Sequence, residues 1–141
     1  MRKSLLALWV LVLPVCAAFG ADAAEEQGVR AAIGHYFEGH ATGDPAHFRV
    51  AFLPTAHIEG NRQGKFTSWT LEEYCAKFDG KPAADEAGRR RTIDLVDVSG
   101  DSAIAKATLD HGAIVFTDYF VLLKVDGAWK IANKVYHGGR K

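Results

Sequence analysis

The chain has 141 residues, 48% apolar and 24% charged, with 17 basic against 17 acidic side chains and a formal net charge of zero. That length holds one domain rather than two, and the composition is neither collagen-like, low-complexity nor disordered. The charge balance carries no electrostatic footprint for nucleic acid or for an anionic membrane.

The first 23 residues read as a secretory signal. Arg2 and Lys3 give a basic start, and residues 5–15 form an apolar run of eleven, too short to span a bilayer. Ala21-Asp22-Ala23 supplies an A-x-A cleavage pattern. The expectation is a single domain over residues 24–141, secreted or periplasmic, with no membrane partner once the signal is removed. Cleavage takes out Arg2, Lys3 and Asp22 and leaves 15 basic against 16 acidic residues, a net of −1. It also takes out Cys16, so Cys75 stands alone and no internal disulfide can form.

Residues 24–42 place Val29, Ala32, Ile33, Tyr36 and Phe37 at helical spacing along one stripe. Gly43 suits the left-handed residue that ends a helix. Asp44 then caps a short second helix, with Pro45 at its first position, over residues 45–51. Residues 56–59 and 65–68 read as a short hairpin around Asn61-Arg62-Gln63-Gly64. Thr70-Leu71-Glu72-Glu73 is a capping box, and the helix it opens buries Leu71, Tyr74, Cys75 and Phe78. Residues 79–88 form a polar loop. The run Arg89-Arg90-Arg91 reads as a solvated entry into a strand.

Turn signals at Ser99-Gly100-Asp101, His111-Gly112-Ala113 and Asp126-Gly127 divide the remainder into four strands, 90–98, 102–110, 114–125 and 128–137. Turns this short make an antiparallel meander. Helices first and sheet last give an α+β class: three helices packed on a strongly curved, antiparallel to mixed sheet of four long strands plus a short hairpin.

Asp118 lies in an otherwise apolar strand. A carboxylate there must be paired, protonated or facing a cavity. Strand alternation puts Phe116, Asp118, Phe120 and Leu122 on one face and Val115, Thr117, Tyr119, Val121 and Leu123 on the other. Both faces are largely apolar, so one lines a cavity and the other needs a cover. Alternation along the last strand puts Trp129, Ile131, Asn133 and His137 together. The six histidines show no metal-binding spacing, and no nucleotide or serine-hydrolase motif is present, so no metal or cofactor is implied.

Tyr36, Gly43-Asp44, Phe52-Leu53-Pro54, the capped helix, Asp118-Tyr119-Phe120 and Asp126-Gly127-Ala128-Trp129-Lys130-Ile131 together resemble the nuclear transport factor 2-like superfamily. The runs HYFEGHATGDPAHF, FTDYF and VDGAWKIANKVYH look closest to its bacterial branch of putative lumazine-binding proteins. The resemblance covers residues 25–137. It implies a cone, a bent sheet wrapped around helices with a cavity between, and a homodimer joined through the sheet. It does not by itself assign a function.

Ketosteroid isomerase shares that superfamily. Its helix-one tyrosine lies eight residues before the Gly-Asp aspartate, as Tyr36 lies before Asp44, and its late-strand protonated aspartic acid matches Asp118. Its general base falls by spacing at Gly60, which has no side chain; Glu59 is adjacent, and His57 lies three residues earlier. The leading expectation is therefore a binder of a small apolar or aromatic molecule, contacted by Tyr36, Phe52, Trp69, Tyr74, Phe116, Asp118, Phe120, Asn133 and His137. The alternatives are an isomerase- or cyclase-type enzyme with His57 or Glu59 as a displaced base, and a dimeric interaction module with a filled cavity.

Overall fold

The stripe of Val29, Ala32, Ile33 and Tyr36 is the buried face of a long first helix. The computed structural model describes residues 16–141, with side chains from residue 22; the apolar run 5–15 of the expected signal lies outside them. Helix α1 spans Cys16–Thr42, longer than the sequence pattern at its N-terminal end. The extra turns are alanine-rich, and alanine carries the strongest helix propensity. The Glu25 side chain reaches the sheet, accepting from Lys124 at 2.6 Å and from the Trp129 indole at 2.8 Å.

Gly43 ends α1 at φ 71°. A Cβ there would lie 2.0 Å from the Lys81 carbonyl oxygen, so backbone contact and backbone angle both demand glycine. Asp44 caps α2 (Pro45–Ala51) by accepting from the Ala46 amide at 2.8 Å. Thr70 and Glu73 form the expected capping box at α3 (Leu71–Cys75), which buries Leu71, Tyr74 and Cys75. Phe78 packs against the core from just beyond it.

The strands are β1 (His57–Arg62), β2 (Lys65–Thr70), β3 (Arg90–Ser99), β4 (Ser102–His111), β5 (Ile114–Val125) and β6 (Ala128–Arg140). They form one mixed sheet in the order β2-β1-β6-β5-β4-β3. All neighbours are antiparallel except β1 and β6, which run parallel. The hairpin is longer than expected, because its turn is reduced to Gln63-Gly64 and pairing continues to Arg62 and Lys65.

Two register shifts interrupt the pairing. One lies between Ile93 and Leu95 on β3; the other pairs Val121 with Asn133 and Leu122 with Ile131, leaving Ala132 as an extra residue on β6. Such bulges bend a strand and increase its twist. The second also reverses which side chains of β6 face inward. Trp129 and Ile131 are buried before it, and Lys134, Tyr136 and Gly138 after it. The expectation that Asn133 and His137 share the inner face is thereby corrected, since one inserted residue flips every later side chain.

The concave face of the sheet packs on α1 and α2 through Ile33, Phe48, Phe52, Phe120, Leu122 and Ile131. The convex face carries Leu95, Ile104, Tyr119, Val121, Leu123 and Val135, all exposed. The 79–88 loop contains a single 3-10 turn, Glu86–Gly88. Its acids hold the arginine run: Asp85 pairs with Arg89 at 2.9 Å, and Glu86 with Arg91 at 2.6 Å. Arg89 and Arg91 are therefore tied down and partly buried, while Arg90 between them is exposed as expected.

Candidate functional site

Three chain segments converge beneath the open end of the bent sheet. Tyr36 comes from the buried face of α1, Asp118 from the inner face of β5, and Lys134 from β6 just past the bulge. Asp118 is paired in register with Tyr136, so Lys134 sits diagonally across the strand pair on the same face. A lysine stem is long enough to close that diagonal. Tyr36 donates to Asp118 Oδ2 at 2.6 Å. The Lys134 ammonium donates to the same oxygen at 2.9 Å and to the Tyr36 hydroxyl at 2.7 Å. The Asp118 and Lys134 side chains are 1% and 4% exposed, so the pair is fully desolvated.

A buried carboxylate needs a counter-charge or neutrality. Here Lys134 stands within ion-pair distance, a partner that the isomerase resemblance did not supply. The ammonium also lies 4.7 Å from the Tyr36 ring centre, 5.1 Å from Tyr136 and 5.6 Å from Tyr74, each a cation–π distance. Burial pushes the Lys134 amine below the usual lysine range, and the Asp118 charge opposes that shift. Burial, and then the Asp118 charge, hold the Tyr36 hydroxyl well above its ordinary value. Tyr74 is raised for the same reasons in the same order.

Above this floor lies a cavity of about 240 Å³. Trp69, Tyr74, Phe78, Phe116 and Tyr136 wall it, and Arg62, Lys77, Arg89 and His111 stand nearer its mouth. Trp69 and Tyr136 are stacked, with rings 5° from parallel at 6.2 Å. His40, which also lines the cavity, hydrogen-bonds to the Tyr74 hydroxyl at 2.8 Å. Burial, and then the Lys134 charge, depress His40 well below the ordinary histidine value. His111 is lowered to about 4 by burial and the neighbouring Arg89 and Arg91 charges, so both imidazoles are neutral near pH 7.

Of the residues expected to contact a ligand, Tyr36, Trp69, Tyr74, Phe116 and Asp118 line this cavity. Phe52 and Phe120 do not. They pack edge-on against the Tyr36 ring at 5.9 and 5.3 Å and support it from the core. Asn133 and His137 are turned away by the bulge, and Asn133 accepts from the His57 amide at 2.8 Å. His57 is exposed, and Glu59 accepts from the Ser68 hydroxyl at 3.1 Å outside the cavity. Neither reaches the floor, because Ile58 takes the inward position between them. A Cβ on Gly60 would fall 2.2 Å from the Tyr136 carbonyl oxygen, so the close approach of β6 excludes any side chain there. Among the described residues no metal-binding cluster occurs.

Sequence reasoning missed Lys134, Tyr136 and Arg62. The bulge has no marked signal at Ala132-Asn133, and without it Lys134 is assigned to the outer face. Asp118 itself held the available clue, since a buried acid calls for a cation on an adjacent strand.

Three helices packed on a bent, open six-stranded mixed sheet define a domain of the nuclear transport factor 2-like class. The chain belongs to the family described as "Putative lumazine-binding", whose model matches residues 24–137. A nuclear transport factor 2-like protein of unknown function from Shewanella baltica is 28% identical, superposes with a TM-score of 0.74, and aligns over 84% of this chain and 97% of its own. Another, from Methylobacillus flagellatus, is 26% identical with a TM-score of 0.71, over 82% and 93% of the two chains. The aldolase FrzH of Cladobotryum sp. is 23% identical over 104 residues, 72% of this chain and 82% of that protein.

The ion pair gives a direct stability test. Lys134→Met leaves the Asp118 carboxylate buried without a counter-charge, and should cost roughly 3–5 kcal/mol in urea denaturation. A loss below about 1 kcal/mol, the range of exposed pairs, would mean that the two groups do not share a dry site.

Proposed function

We propose that this protein binds a small, flat, largely apolar molecule in the cavity above Tyr36, Asp118 and Lys134. One observation carries the reading. Asp118 Oδ1 is buried and has no hydrogen-bond partner, although its sister oxygen accepts two bonds. Lys134 likewise has three N–H groups and uses two. The floor thus holds one spare acceptor and one spare donor among aromatic walls. An unmet buried polar group costs about 1–3 kcal/mol, so a ligand edge with adjacent donor and acceptor, as in an amide or lactam, relieves both. The lumazine of the family's description has such edges and a flat ring, which supports this reading.

The domain acts outside the cytoplasm, after removal of residues 1–23. The Glu25 side chain bonds to Lys124 and Trp129 and so belongs to the packed domain, which supports a cleavage point ahead of it. Mass spectrometry of protein purified from a periplasmic fraction tests both points. The expected outcome is a chain beginning near Ala24 with a bound small molecule that Asp118→Ala lacks. A bare wild-type protein would remove the binding reading, and an uncut chain would remove the location.

The convex face of the sheet is covered by a second copy. Its exposed apolar residues share a continuous stretch of β3, β4, β5 and β6, where solvent contact is unfavourable and, among the described residues, no helix covers them. Sedimentation should find the wild type dimeric at micromolar concentration and Val121→Glu monomeric. A monomeric wild type contradicts the dimer alone.

A second reading rests on the likeness to an aldolase together with the lowered Lys134 amine. A lysine desolvated in an apolar pocket can attack a carbonyl carbon, lose water and form an imine, with Asp118 taking the ammonium proton. Treatment with benzaldehyde and cyanoborohydride would then add one benzyl group at Lys134. Labelling spread evenly over the surface lysines would exclude an activated amine.

A further inference from the structure

We propose that the mouth of the cavity is an anion subsite, so that the flat ligand carries a negatively charged group, most simply a carboxylate, facing outward. The inference rests on the small-molecule reading above and adds the chemical class of the ligand.

Charge at the site is one-sided. Asp118 is the one carboxylate among the residues lining the cavity, and Lys134 already neutralises it. Arg62 and Lys77 stand at the mouth, and among the described residues neither has a carboxylate within ion-pair distance. In a chain of zero net charge, two unneutralised cations at one opening are a local excess rather than a reflection of composition.

Both cations are held by aromatic walls. The Lys77 ammonium lies 4.2 Å from the Trp69 ring centre, and the Arg62 guanidinium lies 5.8 Å from that of Phe116. His111 approaches the same Phe116 ring at 5.4 Å. Contacts of this kind position a cation without consuming its hydrogen-bond donors.

Spare polar groups lie at the same place. Arg89 pairs with Asp85 through Nη2, yet its Nε is buried and unbonded. His111 Nε2 is also buried and unbonded. Arg62 and Lys77 therefore present fixed cations, and Arg89 and His111 unfilled polar positions, around one opening above low-dielectric walls that concentrate the field. A carboxylate can accept from several donors at once, and Arg62 can engage it through two. The cavity admits a bicyclic ring below it, with the amide-like edge at Lys134 and Asp118.

The test uses the mature protein and a matched pair of probes, 2-naphthoate and 2-naphthamide, in calorimetric titrations at low and at about 0.5 M salt. The naphthoate should bind roughly tenfold tighter at low salt, and added salt should erode the difference. Arg62→Gln/Lys77→Gln should abolish the preference, with an unchanged circular dichroism spectrum excluding misfolding. Equal affinities, or a preference that survives in the double variant, overturn the anion subsite and leave the cavity reading standing. Binding of neither probe also overturns it, while the search for a copurified molecule judges the cavity reading separately.

Discussion

Asp118 governs this architecture because a carboxylate that is 1% exposed has few stable arrangements. Left bare it would cost several kcal/mol. The fold meets that requirement with Lys134 from the neighbouring strand and Tyr36 from α1, two groups that also bond to each other. The triad ties the helical layer to the sheet at a point where apolar packing gives way to a cavity. Its saturation is incomplete, since one carboxylate oxygen and one ammonium hydrogen are unused. The proposed binding role rests on that incompleteness.

The triad depends on a backbone irregularity at Ala132, two residues before Lys134. Without the extra residue at Ala132, regular alternation would carry Lys134 to the convex face and bring Asn133 inward. Asp118 would then lose its counter-charge. The same bulge bends β6 against β5 and lets the sheet wrap around α1. Curvature and electrostatics are therefore set by one register shift, and Gly60 accommodates the resulting approach of β6 to β1.

The elements were largely legible because their signals are local. Gly43-Asp44-Pro45, the Thr70–Glu73 capping box and the Asp126-Gly127 turn each act within a few residues, and the bounds of β5 follow directly from its flanking turns. The convergence of Tyr36 and Asp118 could also be read, from the isolated acid and the resemblance to a pocket fold. Lys134 and Tyr136 could not, since their orientation depends on pairing between strands. Phe52 and Phe120 show a further limit: sequence places them on the inner face but does not separate residues that line a cavity from residues that back it. Arg89 was hidden by its basic run, whose exposure depends on the acids of the preceding turn.

The central claim is that the Lys134 ammonium is locked in a dry pocket by Asp118 and Tyr36. Nitrogen-detected NMR of the lysine side chains tests this directly through exchange of the ammonium protons with water. One slowly exchanging lysine signal is expected at neutral pH, assigned to Lys134 and absent from Asp118→Asn. A Lys134 signal that exchanges as fast as those of the surface lysines would contradict it.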